Sequence, residues 1–225
     1  MKRALLLTTL VAPLTALADG FEGTYVGLYS GYAWAEDRGT SYDQFNHRKT
    51  GFTQETNPTG AQYGVLAGYN WVLPHNWLVG VEADYDGRID QRDQDFQEFN
   101  GVTDTRYRAA SEIKDSGSLR GRLGYLPTTD LLLFATAGYA YARVERKWED
   151  LSPGINASES KTKGQGGWTV GAGAEYLLSD AFSARIEYRY ADFGTQGNIP
   201  VNMWVEEYKQ RLTEQSVRLG AAYHF

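Results

Sequence analysis

The chemistry available to this 225-residue chain is concentrated in ten ionisable residues that recur at two-residue spacing. They are Glu82, Asp84 and Asp86; Arg120 and Arg122; Glu175; Arg185, Glu187 and Arg189; and Arg218. A period of two places side chains on one face of an extended strand. Neighbouring carboxylates can act as general acid and base. Here five carboxylates stand against five arginines, and a guanidinium fork satisfies a carboxylate with two parallel hydrogen bonds. The expected arrangement is an ion-pair network rather than a catalytic pair. Histidine adds little: His47 falls in a polar stretch, His75 in a turn and His224 next to the last residue, without the spacing of a metal site. An enzyme acting on lipid A or peptide would want a histidine beside a serine or carboxylate. His47 with Ser41 and Asp43 is the one candidate for that role. Cysteine is absent, which excludes disulfides and thiolate ligands. No cofactor, metal or catalytic residue is expected.

The elements that must carry these charges are strands. Eight segments alternate with a strict period of two: residues 23–35, 62–72, 77–86, 118–125, 131–141, 168–176, 182–190 and 217–225. One face of each is uncharged and rich in aromatics, as in Tyr63, Val65, Ala67, Tyr69 and Trp71, or Trp168, Val170, Ala172, Ala174 and Tyr176. The other face collects glycine and nearly all the charge. A water-soluble barrel turns its apolar face inward. So complete an apolar band, with aromatics near the strand ends, fits the inverse case of a barrel whose outer face meets lipid. The fold class read from this pattern is all-β, a closed eight-stranded antiparallel up-and-down transmembrane β-barrel. Closure also satisfies every backbone donor and acceptor, as hydrocarbon requires. Eight strands leave an interior that side chains can just fill, so the ten charges are expected to plug it.

The connections alternate in length. Tight turns fall at 73–76, 127–130 and 179–181, and long polar stretches at 36–61, 89–117, 147–166 and 194–215. Short periplasmic turns and long extracellular loops are the usual asymmetry. Residues 106–115 and 204–212 could extend two strands above the membrane. Tyr42, Phe45, Phe52, Phe96, Phe99 and Trp204 place aromatics in these loops, either to pack over the barrel mouth or to contact another molecule. Asn156-Ala157-Ser158 matches a glycosylation sequon that chance explains.

The first 18 residues read as an export signal. Lys2 and Arg3 precede an apolar run that ends at Ala16-Leu17-Ala18, a small-residue cleavage site. The alternative is a retained anchor helix, but the run is short and interrupted by Thr8, Thr9 and Pro13. Residues 19–225 would then form the barrel. Of the 22 basic residues, cleavage removes Lys2 and Arg3 and leaves 20 against 28 acidic ones, so the net charge moves from −6 to −8. An acidic chain argues against a nucleic-acid partner.

These residues also resemble a known family. Gly117-Ser118-Leu119-Arg120-Gly121-Arg122-Leu123-Gly124-Tyr125 looks like the central signature of the opacity-type porin family, small outer-membrane barrels common in α-proteobacteria. Gly68-Tyr69-Asn70-Trp71, Val79-Gly80-Val81-Glu82, Gly167-Trp168-Thr169-Val170-Gly171-Ala172-Gly173 and Glu187-Tyr188-Arg189-Tyr190-Ala191-Asp192-Phe193-Gly194 are similar to its other motifs. One departure is Phe21, where the family often has tryptophan. The C-terminal stretch, with Gly220, Tyr223 and Phe225, is similar to the signal read by the barrel-assembly machinery. The resemblance implies an outer-membrane surface protein and antigen in contact with lipid and lipopolysaccharide. It also implies a structural part in envelope integrity, with host or surface ligands met at the loops. The alternatives are a narrow pore for small solutes and a lipid-modifying barrel enzyme.

Overall fold

β-Branched and aromatic residues at alternate positions, punctuated by turn-forming residues, commit nearly the whole chain to strand. The computed structural model describes residues 20–225 apart from Asn156 and the side chain of Asn198. The proposed signal, residues 1–18, and the asparagine of the sequon lie outside the described residues. Nine strands follow in order: β1 (Gly23–Asp43), β2 (Lys49–Thr56), β3 (Thr59–Leu73), β4 (Trp77–Phe99), β5 (Val102–Tyr125), β6 (Leu131–Asp150), β7 (Ala157–Leu177), β8 (Phe182–Val201) and β9 (Glu206–His224). Every pairing is antiparallel, and β1 pairs with β9 from Tyr25↔His224 to Asp43↔Glu206, which closes the sheet on itself.

Nine strands make a ring of eight because β2 and β3 are two parts of one descending strand. Both pair with β1, β3 along Gly23–Trp34 and β2 along Asp37–Tyr42. The interruption is Asn57–Pro58, where proline has no N–H for the ladder. The Pro58 carbonyl still accepts from Ala35 N at 3.0 Å, so β1 stays paired across the break.

A band of apolar side chains circles the outside. Leu28, Val81, Leu119, Leu133, Val170, Ile186 and Leu219 are all exposed. Aromatics flank the band on both sides: Tyr63, Tyr85, Tyr139 and Trp168 toward one end, Trp71, Trp77, Tyr125, Tyr176, Phe182 and Tyr223 toward the other. Trp77 packs on Tyr125 with ring centroids 5.4 Å apart, and Tyr223 on Phe182 at 5.1 Å. Nine residues separate the girdles along β4, counting Trp77 to Tyr85, about the length of a membrane-crossing strand.

The long polar stretches differ from the expectation. Residues 36–61, 89–117, 147–166 and 194–215 are mostly strand, and the true turns at that end shrink to residues 44–48, 100–101, 151–155 and 202–205. β5 alone has 24 residues. The part of it beyond the girdle, from Val102 to Ser116, rises about 40 Å at ~3.3 Å per residue and a tilt of about 40°. Both stretches of uncertain end, 106–115 and 204–212, belong to such extensions, except for the turn residues 204 and 205. Beyond the membrane the outward face of a strand meets water, so the uninterrupted apolar row that marks a membrane strand is lost.

The interior is layered. Nearest the chain ends, Phe21, Leu78, Leu132, Phe134 and Leu177 form an apolar floor. Far above it, Ala35, Ile113, Ala140, Ala142, Val144, Ala191, Phe193 and Leu212 form an apolar ceiling. A third cluster near the rim joins Ala109, Trp148, Ile199, Val201 and Tyr208. Two glycines make room for what lies between floor and ceiling. A Cβ at Gly68 would stand 2.4 Å from the Tyr25 hydroxyl, and one at Gly64 would stand 2.6 Å from the Tyr29 ring.

Candidate functional site

Between the two apolar layers lies a column of buried charge. Arg120 on β5 is its hub: Nη2 lies 2.5 Å from Glu82 Oε1 and 3.2 Å from Asp84 Oδ2, while Nη1 meets Glu187. Arg185 reaches Glu82 Oε2 at 2.6 Å and Glu187 at 3.4 Å. Asp84 also accepts from Arg189 at 2.9 Å and Arg218 at 3.3 Å, and Arg218 continues to Asp86 at 3.0 Å. Phenols supply further donors: Tyr25 to Glu82 at 2.8 Å and Tyr29 to Asp86 at 3.0 Å. At the floor Arg122 pairs with Glu175 and lies over the Phe134 ring, its guanidinium carbon 4.2 Å from the centroid.

All ten residues singled out by the alternation therefore face the lumen and touch a partner of opposite charge. Four more join them. Arg88 links Asp86 at 2.8 Å to Glu214 at 3.1 Å, and above the ceiling residues Arg146 pairs with Asp37 at 2.7 Å. The interior pairs thus join seven arginines (88, 120, 122, 146, 185, 189, 218) to seven carboxylates (37, 82, 84, 86, 175, 187, 214). The balance matters because an unpaired charge in such a space is costly. Arg88 and Arg146 lie just past the ends of the alternating segments 77–86 and 131–141, and Asp37 and Glu214 lie on stretches read as loop. The signal that could have found them is the same equality of sign, extended past the membrane.

One local arrangement has the residue types of a hydrolase triad. Ser183 Oγ stands 3.1 Å from His224 Nε2 and donates to Glu175 Oε1 at 2.6 Å. The geometry is wrong for nucleophile activation. Glu175 and Ser183 both meet Nε2, at 3.2 Å for the carboxylate, while Nδ1 has no partner. In a working triad the acid holds Nδ1 and leaves Nε2 for the serine. Ser183, Glu175 and His224 are also fully buried. The other candidate does not assemble either. Ser41 Oγ donates to Glu206 at 2.7 Å, whereas His47 Nδ1 meets Glu207 at 2.7 Å. Asp43 is occupied by the backbone N–H groups of Asn46 and Phe45, which hold its carboxyl below the usual carboxylate range. Among the described residues no cluster of histidine and carboxylate could hold a metal.

The rim gathers the aromatics. Phe52 packs on Phe99 with centroids 4.9 Å apart, Phe52 on Tyr107 at 5.4 Å and Tyr107 on Trp204 at 5.2 Å. Tyr42 lies under Lys209 at 4.4 Å, and Phe45 stands free at a turn tip. Trp148 donates to Gln54 at 2.9 Å and Tyr208 to Gln97 at 3.0 Å, which seals the centre of the mouth. The turn before β9 is gripped by Glu159, which accepts from Asn202 N at 2.7 Å. Val205 in that turn has φ 58°, an uncommon conformation for a β-branched residue.

A family model described as "Outer membrane protein beta-barrel domain" matches residues 4–225. The chain belongs to this outer-membrane barrel family. It is 30% identical over 221 residues to a 31 kDa outer-membrane immunogenic protein of Brucella melitensis, covering 95% of this chain and 88% of that protein. A 22 kDa outer membrane protein of Rhizobium leguminosarum is 31% identical over 203 residues, 90% of this chain and 79% of that protein. Among solved structures, the outer membrane protein OprG of Pseudomonas aeruginosa superposes with a TM-score of 0.59 at 16% identity, covering 93% of this chain and 99% of OprG. That likeness concerns the fold. The family locates the barrel in an outer membrane, and the apolar belt is where lipid meets it.

Proposed function

We propose that this protein is a structural, non-conducting barrel of the outer membrane that carries a stiff rim of paired strand as its contact surface. What supports this reading is the filled lumen: twelve paired charges held between two apolar layers of packed side chains, with the Arg146–Asp37 pair above them. A solute would have to break these pairs to pass, and buried pairs resist such separation. The barrel's part in envelope integrity is that of a rigid strut, and binding or adhesion falls to the rim. Its relatives in Brucella are named immunogenic, which fits a protein that shows such a surface to the outside, where lipopolysaccharide surrounds it. The last strand supplies the assembly signal. Tyr223 and Phe225 pack ring to ring at 4.9 Å, while Gly220 lets Tyr29 and Arg185 approach β9. The barrel-assembly machinery would meet this row before β9 pairs with β1. Recording from single barrels in planar bilayers tests the reading: insertion is expected without a steady current step, and a large steady conductance refutes it.

A further inference from the structure

Five strand ends and turns converge on one cleft at the rim. It is about 210 Å³ in volume and is lined by Phe52, Gln97, Tyr107, Trp204 and Glu206. Three of these are aromatic, and their rings stand nearly perpendicular in sequence. Phe52 meets Tyr107 at 84°, and Tyr107 meets Trp204 at 80°. Rings set this way wall a box, and the faces of such rings carry negative potential. Trp204 is held in place by its Nε1–H, which donates to Asp150 at 3.3 Å.

The fifth wall is a carboxylate without a counter-charge. Glu206 Oε2 accepts from Ser41 at 2.7 Å and from Tyr208 at 3.2 Å, both neutral hydroxyls. None of the ion pairs among the described residues includes it, although every charged group in the lumen network below has one. The nearby cation Arg106, whose guanidinium carbon lies 5.4 Å from the Tyr107 ring, is taken up by Asp104 at 2.9 and 2.6 Å. Burial and the charge of Asp43 push the Glu206 carboxyl above its ordinary range, as expected for an acid that lacks a cation. Gln97 adds no free polar group, since its carbonyl takes Tyr208 and its amide reaches Gln54 at 3.4 Å.

We propose that this cleft binds an alkylammonium group, with Phe52, Tyr107 and Trp204 against its methyl or methylene surface and Glu206 as its counter-charge. Aromatic walls with a carboxylate suit such a cation better than a neutral or anionic ligand. The group could belong to a free small amine or to a choline-type lipid headgroup, which share this chemistry. The proposal rests on the reading of the rim as the contact surface, and it fails separately from the plugged lumen, because conductance does not depend on it.

The test uses the mature barrel, refolded in maltoside micelles and titrated with tetramethylammonium, choline and methylammonium chlorides. Neopentyl alcohol serves as the neutral counterpart of similar shape. Binding is read from broadening of the ligand methyl proton signals. Saturable binding of at least one ammonium ion is expected, with none for neopentyl alcohol. Glu206→Gln and Trp204→Leu should each weaken it about tenfold while keeping the heat-modifiable migration of the folded barrel. The two variants are independent, so a folding failure in one leaves the other as the test. Retention on phosphatidylcholine vesicles but not phosphatidylglycerol vesicles would assign the headgroup, and binding of free amines alone would assign the small ligand. Absence of saturable binding by any ammonium ion overturns the proposal, as does equal binding of neopentyl alcohol or unchanged affinity in both variants.

Discussion

Replacing Arg120 with methionine removes the hub of the lumen, and the pairs around it show where the cost falls. The side chain is fully buried and serves Glu82, Asp84 and Glu187. After the change Glu82 keeps Arg185 at 2.6 Å and the Tyr25 hydroxyl at 2.8 Å. Asp84 keeps Arg189 at 2.9 Å and Arg218 at 3.3 Å. Glu187 retains only Arg185 at 3.4 Å and the Thr136 hydroxyl at 3.2 Å. The penalty therefore concentrates on one carboxylate, and stranding a buried charge costs about 3–5 kcal/mol. Adding Glu187→Gln removes that charge, so the double variant should regain most of the loss, leaving a deficit of about 1–2 kcal/mol from the altered packing. Reversible urea unfolding in lipid vesicles, followed by tryptophan fluorescence, measures both values. If Arg120→Met alone costs less than about 1 kcal/mol, the network is not a set of buried pairs. If Glu187→Gln fails to restore stability in that background, the assignment of the stranded carboxylate is refuted.

Two further substitutions probe the same balance and the lipid face. Arg189→Met should cost less than about 1 kcal/mol in the same unfolding assay, because its one partner Asp84 keeps Arg120 and Arg218, while its own Nε and Nη2 have no partner to lose. Val81, half-exposed midway between the girdles of β4, should tolerate leucine, but Val81→Arg should cost about 2–4 kcal/mol, as a cation at the bilayer midplane does. A neutral outcome for Val81→Arg would mean that this belt does not face hydrocarbon.

The membrane-crossing part of this fold could be read from the chain because lipid imposes a strict rule on it. Along β4, Trp77, Val79, Val81, Ala83 and Tyr85 look outward and Glu82, Asp84 and Asp86 inward, with no exception to the alternation. Beyond Gly87 the rule lapses. The register shifts between Gly87 and Arg92, again between Ile113 and Asp115 on β5, and between Asp192 and Thr195 on β8. Each bulge changes which residues face inward. Arg88, Arg146 and Glu214 nonetheless keep the inward phase of Asp86, Thr136 and Arg218 on their own strands, and they escape because outward neighbours such as Arg143, Glu145 and Gln215 are no longer apolar. The cage at the rim escapes for another reason. Phe52, Tyr107 and the neighbouring Trp204 and Glu206 come from three distant parts of the chain, and the pairings of β2 with β4, β4 with β5 and β9 with β1 bring their neighbourhoods together. Two of its members, Phe52 and Trp204, already stand out as aromatics in polar stretches.

The extension of the strands beyond the membrane constrains how this surface can change. In a flexible loop, an inserted residue shifts its neighbours by one place and little else follows. In a ladder such as β1 with β9, paired from Tyr25 to Asp43, a single insertion turns every later side chain to the opposite face. Sequence variation is therefore channelled into replacements at outward positions, into insertions of two residues, and into length changes at the four short tips. An antibody that grips the wall of the rim recognises a discontinuous patch of adjacent strands. Peptides copied from one strand reproduce only a single row of it.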